Sequence, residues 1–202
     1  MRLGLITDIH EQVEFLQHAL DRFASEQVDQ VVMIGDVFET GERIEETCRL
    51  LAEVNAVGVW GNHDYGLSFE PDERVCEKYA ASVIDFMTSL RPRLEVGGCH
   101  FSHVEPRLDP ENVADLWYFD GPPDEHGKLE RIFSAVTNRV MFAGHFHKWL
   151  LATTDGISGW RGEGPIRLHE KQRYFVVVGA LCEGRFALYD TEASVLMPVN
   201  AA

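Results

Sequence analysis

The sequence predicts an α/β protein, and three observations carry that prediction. Short apolar runs at 3–7, 30–34 and 56–60 each stop at a cluster of glycine and aspartate, as buried strands do. Between them, apolar residues recur at helical spacing. After position 147 the helical period fades and short β-branched and aromatic runs take over.

Taken in order, Phe15, Leu16, Ala19, Leu20, Phe23 and Ala24 line one helix face between the first two runs. Ile44, Cys48, Leu51 and Ala52 line another between the second and third. The opening third therefore reads β-α-β-α-β, a parallel arrangement with helices as crossovers. A third amphipathic helix is expected near 74–90, with Val75, Tyr79, Val83, Met87 and Leu90 on one face and Pro92 ending it. Strands follow near 94–96 and 99–102. The segment 104–138 is irregular, with Pro106, Pro110, Pro122 and Pro123 and the aromatic triplet Trp117-Tyr118-Phe119. Asp109-Pro110 has the form of an N-cap followed by an N1 proline, so a short helix is expected to start there. A further helix aligns Leu129, Ile132, Phe133 and Val136. Strands are expected at 140–143, 149–153, 174–178, 186–189 and 195–199, with Gly156, Gly159, Gly162 and Gly164 in a connecting loop.

With 202 residues and no repeat, low-complexity tract or linker, residues 1–202 are expected to form a single domain. An apolar content of 45% suits a folded globule. No apolar run approaches bilayer length and the first residues lack a basic-then-apolar signal pattern, so a cytoplasmic protein without membrane contact is expected. A net charge of −15 argues against stable nucleic-acid binding, which needs basic patches to displace counterions. Cys48, Cys76, Cys99 and Cys182 show no Cys-x-x-Cys spacing and are expected to be reduced packing residues. Oligomeric state is not legible.

Five clusters carry the chemistry: Asp8-x-His10, Gly35-Asp36, Gly61-Asn62-His63-Asp64, His103, and Gly144-His145-Phe146-His147. Each follows an expected strand, and ligand sites in open α/β sheets collect at the carboxyl ends of strands. Alone, each has an ordinary reading. Asp8 could cap a helix, and Gly35-Asp36 could be a turn. Their order and shared placement point to a metal site. The remaining histidines, His18, His100, His126 and His169, are expected to be surface or core residues.

The order of these motifs resembles the calcineurin-like metallophosphoesterase superfamily over nearly the whole chain. The segment 102–110, Ser-His-Val-Glu-Pro-Arg-Leu-Asp-Pro, is similar to the small bacterial and archaeal phosphoesterases related to diadenosine tetraphosphatases. The resemblance implies a four-layer α-β-β-α sandwich, two mixed sheets flanked by helices. It implies two divalent metal ions, with Asp8, His10 and His147 on the first, Asn62, His103 and His145 on the second, and Asp36 bridging both. Oxygen and imidazole donors suit Mn, Fe, Zn or Ni and do not choose among them. It also implies hydrolysis of phosphodiesters, phosphomonoesters or small nucleotides by a hydroxide held between the metals. His63, oriented by Asp64, would help the leaving group as a general acid.

Three departures stand out. Glu11 follows the first His, where many relatives have Gly or Ser. It could cap the next helix, or repel highly anionic substrates. Glu39-Thr40 stands where protein Ser/Thr phosphatases carry the Asp-Arg whose Arg grips phosphate, and Arg43 nearby is expected to be solvated. Arg107 matches the Arg after Pro in the small phosphoesterases and is a candidate phosphate contact. Tyr65, Trp117 and Tyr118 could form an aromatic wall for a base or lipid, or serve the core or a lid. The alternative function is a non-catalytic metal-binding scaffold of the same fold that mediates protein–protein interaction.

Overall fold

The architecture follows from alternation along the strands, which sends successive side chains to opposite faces. The structure is a computed structural model and describes residues 1–117, 121, 123 and 127–200; Tyr118, Phe119, Pro122 and His126 lie outside them. The first third runs β1 (Arg2–Ile6), α1 (Val13–Ser25), β2 (Gln30–Ile34), α2 (Ile44–Glu53) and β3 (Val57–Val59). Then come α3 (Tyr65–Ser68), α4 (Glu73–Lys78), α5 (Ala81–Ser89), β4 (Leu94–Val96), β5 (Cys99–Phe101), α6 (Val113–Leu116) and α7 (Lys128–Ala135). The last third holds β6 (Val140–Ala143), β7 (Leu150–Thr153), β8 (Gly156–Ile157), β9 (Ile166–Arg167), β10 (Tyr174–Val177), a 3₁₀ turn at Leu181–Glu183, β11 (Arg185–Asp190) and β12 (Val195–Asn200).

These strands form two mixed sheets, ordered β3-β2-β1-β11-β12-β9 and β4-β5-β6-β10-β7-β8. In the first, β1, β2 and β3 are parallel; in the second, β5, β6 and β10 are parallel. Val32 and Ile34 of β2, with Tyr189 of β11, face the second sheet and share a buried cluster with its Phe142 and Val176. Val31 and Met33 face the other way, onto Leu16, Leu20, Cys48 and Leu51 of α1 and α2. Beyond the second sheet, Met141, Phe175 and Val177 pack on Ile132 and Phe133 of α7. The order is helix, sheet, sheet, helix, as the resemblance implied. The inter-sheet layer carries much of the burial, and truncating a fully buried ring such as Phe142 to alanine costs about 3–5 kcal/mol.

Three sequence expectations need correction. The helix expected at 74–90 is two helices, because Tyr79 is extended (φ −111°, ψ 151°) between α4 and α5. Its ring packs edge-on against Phe38, 6.1 Å away. Val83, Met87 and Leu90 still face the core, so the side-chain period survives the backbone break. The helix expected from Asp109 starts instead at Val113. Asn112 caps it by accepting the Ala114 N–H, while the Asp109 carboxylate accepts the Glu111 N–H in a preceding turn. The glycine-rich loop contains the short strands β8 and β9, which pair with β7 and β12. No helix among the described residues is long and apolar enough to cross a membrane.

Candidate metal centre

Both sheets deliver their parallel strands to one edge, and the motif residues sit on the loops there. The backbone is strained at this edge. Asp8 (φ 50°), His10 (45°), Asp36 (55°), His145 (68°) and His147 (48°) all lie in the left-handed region, which side chains other than glycine seldom adopt. Such strain persists where surrounding structure holds it, typically at functional sites. The glycines admit close approach. A Cβ on Gly61 would collide with the Asp36 carboxylate, and one on Gly144 with the Thr7 hydroxyl.

An inner cluster gathers around Asp36. His103 is fully buried, and its Nδ1–H donates to the Ile34 carbonyl at 2.7 Å, which leaves Nε2 facing the centre. That Nε2 stands 3.2 Å from Asp36 Oδ2 and 3.1 Å from Asn62 Oδ1. Asn62 Oδ1 also lies 3.0 Å from His145 Nδ1. Burial pushes the Asp36 carboxyl up, but His103 beside it and the His63 backbone N–H outweigh this and hold it below the usual carboxylate range. Burial likewise opposes charge on His103, yet Asp36 raises it to about 9. Burial, and then the His103 charge, lower His145 to about 4.

An outer cluster lies at the mouth. His10 Nε2 is 3.8 Å from Asp36 Oδ2, and His147 Nε2 is 3.2 Å from Asp8 Oδ1. The other oxygen of Asp8 accepts the Thr7 hydroxyl at 2.8 Å and the His145 N–H at 3.1 Å. The Asp8 hydrogen bond, then that of Cys182, raises His147 to about 10. Outer partners fix the far side of His147: Cys182 Sγ at 3.9 Å and Glu183 at 3.4 Å from Nδ1, with Arg185 donating to the His147 carbonyl.

Ligand-capable atoms fall into three groups, each within 4.8 Å: Asp36-His103-His145, His10-Asp36-His63, and His10-His147-Cys182. Asp36 belongs to two of them. Asp8 stands outside these three groups and reaches them through His147 Nε2 at its Oδ1 and the His145 N–H at its Oδ2. Asp8 Oδ1 is buried, and His147 Nε2 at 3.2 Å is too poorly aligned to satisfy it, an arrangement that is costly unless a cation compensates it. The donor set and this under-satisfied oxygen fit divalent metals. The groups line a cavity of about 560 Å³ that also includes Gln12, Glu39 and Trp117.

Several site expectations change. Asp64 is fully buried and does not orient His63. Its oxygens accept the backbone N–H groups of Val37, Phe38 and Gly61, each at 2.9 Å, so it ties the Asp36 loop to the Asn62 loop. Burial, then the Asp36 charge, push it up to about 6. The carboxylate facing His63 is Glu39, 3.5 Å from Nδ1 and 2.7 Å from His10 Nδ1. Its position in the loop after β2, three residues past Asp36, was the signal that could have found it. Glu11 neither caps α1 nor faces the cavity. It is buried and accepts the N–H groups of Glu39 (2.9 Å), Gly41 (2.7 Å) and Arg43 (2.8 Å), so it holds the loop that carries Glu39.

Arg107 is not among the cavity's lining residues; its Nε donates to buried Glu105 at 2.5 Å. Arg43 is a surface residue paired with Glu14 and Glu46. Tyr65 packs on Phe69 and donates to the Glu111 carbonyl, a core role, whereas Trp117 does line the cavity. Of the cysteines, Cys48 and Cys99 are buried, with burial raising both to about 12. Cys76 is exposed, and Cys182 belongs to the centre. His18 and His169 are surface residues and His100 is buried.

Comparison with known proteins agrees with this geometry. The chain is 26% identical over 191 residues to an uncharacterized protein of Methanocaldococcus jannaschii, covering 91% of this chain and 77% of the relative. The fold matches the crystal structure of a metallophosphoesterase from Sphaerobacter thermophilus with a TM-score of 0.79 at 20% identity, over 100% of this chain and 88% of the other. It also matches an archaeal phosphodiesterase with a TM-score of 0.57 at 17% identity, over 100% of both. The calcineurin-like phosphoesterase superfamily domain matches residues 1–196, and the chain belongs to that superfamily.

Proposed function

We propose that this chain, acting as one domain, is a two-metal phosphoesterase that hydrolyses small phosphodiesters, phosphomonoesters or nucleotides. The observation that carries the reading is the double membership of Asp36 in an inner and an outer ligand group. Asp36, Asn62, His103 and His145 would hold one ion; Asp8, His10, Asp36 and His147 would hold the other. Bound divalent cations supply a hydroxide at neutral pH and positive charge for phosphate oxygens.

The chain's own groups do the rest. Asp36 would be a ligand to both ions, and it accepts the His63 backbone N–H on its Oδ1 at 3.0 Å, which sets the His63 loop. His63 stands at the mouth, 30% exposed, where its ring can reach a leaving oxygen. Glu39 faces Nδ1 at 3.5 Å, which orients the ring with its other nitrogen free to meet a leaving oxygen. The cavity has no Lys or Arg among its described lining residues, so phosphate recognition falls to the ions and favours diesters over more highly charged monoesters.

The test is to strip the protein with chelator and reload it with Mn, Fe, Zn or Ni. It is then assayed on monoesters, diesters, cyclic nucleotides and dinucleoside polyphosphates. Hydrolysis lost on chelation and restored by metal is expected, with diesters preferred. Turnover that survives chelation would contradict the metal reading. A fully loaded protein inert to the whole panel would favour the scaffold.

A further inference from the structure

We infer that Trp117 is a stacking platform for a planar ring on the leaving group. The substrate class is then a phosphodiester with one negative charge whose departing alcohol is a nucleoside. This rests on the two-metal reading of the same cavity and narrows it.

Position supplies the first argument. The Trp117 and His63 rings are 5.2 Å apart between centroids, inclined at 44°, and both line the cavity. A group that protonates a leaving oxygen must come within about 2.6–3.2 Å of it. The substituent on that oxygen therefore passes Trp117, while the phosphoryl group lies over Asp36, Asn62 and His145.

Exposure supplies the second. Trp60 and Trp149 are buried and donate their indole N–H to Pro110 and Asn200, and partly buried Trp160 donates to Gly164. Trp117 is 55% exposed at the cavity rim. It is also anchored. It directly follows α6, whose cap is Asn112, and the approach to that helix is pinned by Trp60 Nε1 on the Pro110 carbonyl and Tyr65 OH on the Glu111 carbonyl. A ring held in place before binding loses little freedom when a ligand stacks on it.

Charge supplies the third. Asp36 and Glu39 line the cavity, with no Lys or Arg among its described lining residues. Further phosphates on the leaving side would meet Glu39, whereas an uncharged nucleoside would not.

The test uses metal-loaded protein and thymidylyl-thymidine, beside two counterparts lacking the base on one side or the other. Product analysis identifies the leaving nucleoside. Removing the leaving-side base should raise KM about 5- to 100-fold, the span of one base–aromatic stack, and leave kcat nearly unchanged. Trp117→Leu should bring that KM ratio close to one, and Trp117→Phe should keep most of it. A wild-type ratio near one overturns the inference, as does a ratio untouched by Trp117→Leu. Equal slowing of all three substrates in Trp117→Leu overturns it too, since that is a structural effect. Cleavage of monoesters alone would overturn the diester part of the inference; should the loaded protein cleave nothing in the panel, the phosphoesterase reading fails, and fluorescence decides the platform separately. Thymidine 5′-phosphate should quench indole emission more than ribose 5-phosphate does, and Trp117→Leu should abolish the difference. Equal quenching by both would overturn the platform.

Discussion

The two halves of the candidate metal centre share Asp36 but differ in almost everything else. The inner half is the more buried: Asp36, Asn62 and His103 are buried and His145 partly so, with Ile34 accepting the His103 Nδ1–H and Asn62 lying between His103 and His145. The outer half opens to solvent. His10, His63 and His147 are all partly exposed there, and acidic side chains crowd them: Glu39 beside His10 and His63, Glu183 beside His147. On the proposed two-metal reading, the inner half would hold an ion in one geometry and the outer half would supply the room and the acid–base groups for turnover. Asp36 belongs to ligand-capable groups in both.

The most severe way to break this comparison is Asp36→Asn. Because it would bridge both halves, both ions should be lost together and activity should fall well beyond the roughly 10–100-fold typical of an outer partner. Metal analysis with turnover checks this; retention of one ion at wild-type level would separate the halves.

His63→Gln probes the outer half alone. Metal content should stay unchanged while hydrolysis slows by about 10²–10⁴-fold, the usual contribution of a general acid. Glu39→Gln should cost less, about 10–100-fold in kcat, as His63 loses the carboxylate that faces its Nδ1. An unchanged kcat would remove Glu39 from the positioning of His63.

Acidity distinguishes the halves by a different measurement. His103, raised to about 9 in the inner half, and His147, raised to about 10 in the outer, both carry protons at pH 7 in the metal-free protein. A cation must displace them. Metal uptake should therefore release protons, and affinity should rise with pH from 7 towards 9–10. Calorimetry in buffers of different ionisation heat reads this directly, and heats independent of buffer would contradict it. The smallest expected effect is Glu11→Ala, which leaves three loop N–H groups without their acceptor. It should lower stability by about 1–3 kcal/mol in denaturant unfolding.

What the sequence disclosed divides along physical lines. The gathering of the candidate ligands at one edge was legible because strand ends are set by local pattern: β2 ends at Ile34, so Gly35-Asp36 had to emerge at the sheet edge. The unbroken apolar run Val31, Val32, Met33 and Ile34 likewise announced a strand buried on both faces. Contacts between loops were not legible. Asp64 follows His63 directly, yet its carboxylate turns to N–H groups at 37 and 38, and Glu39 reaches the imidazole instead. Glu11 looked like a cap for its own helix but bonds a loop about thirty residues away. Periodicity also reports faces rather than backbone continuity. The stripe through Val75, Tyr79, Val83 and Met87 is real, although the chain breaks at Tyr79. Cys182 was read as packing because its thiol carries no spacing motif, and only the 3₁₀ turn after β10 brings it to His147.

Counting metal ions per chain in wild-type protein and in Asp36→Asn, side by side, would probe the centre most directly. Two ions in the first and the loss of both in the second are predicted. A single ion in wild type, or a substituted protein that still holds two, would mean that this carboxylate does not join the two halves.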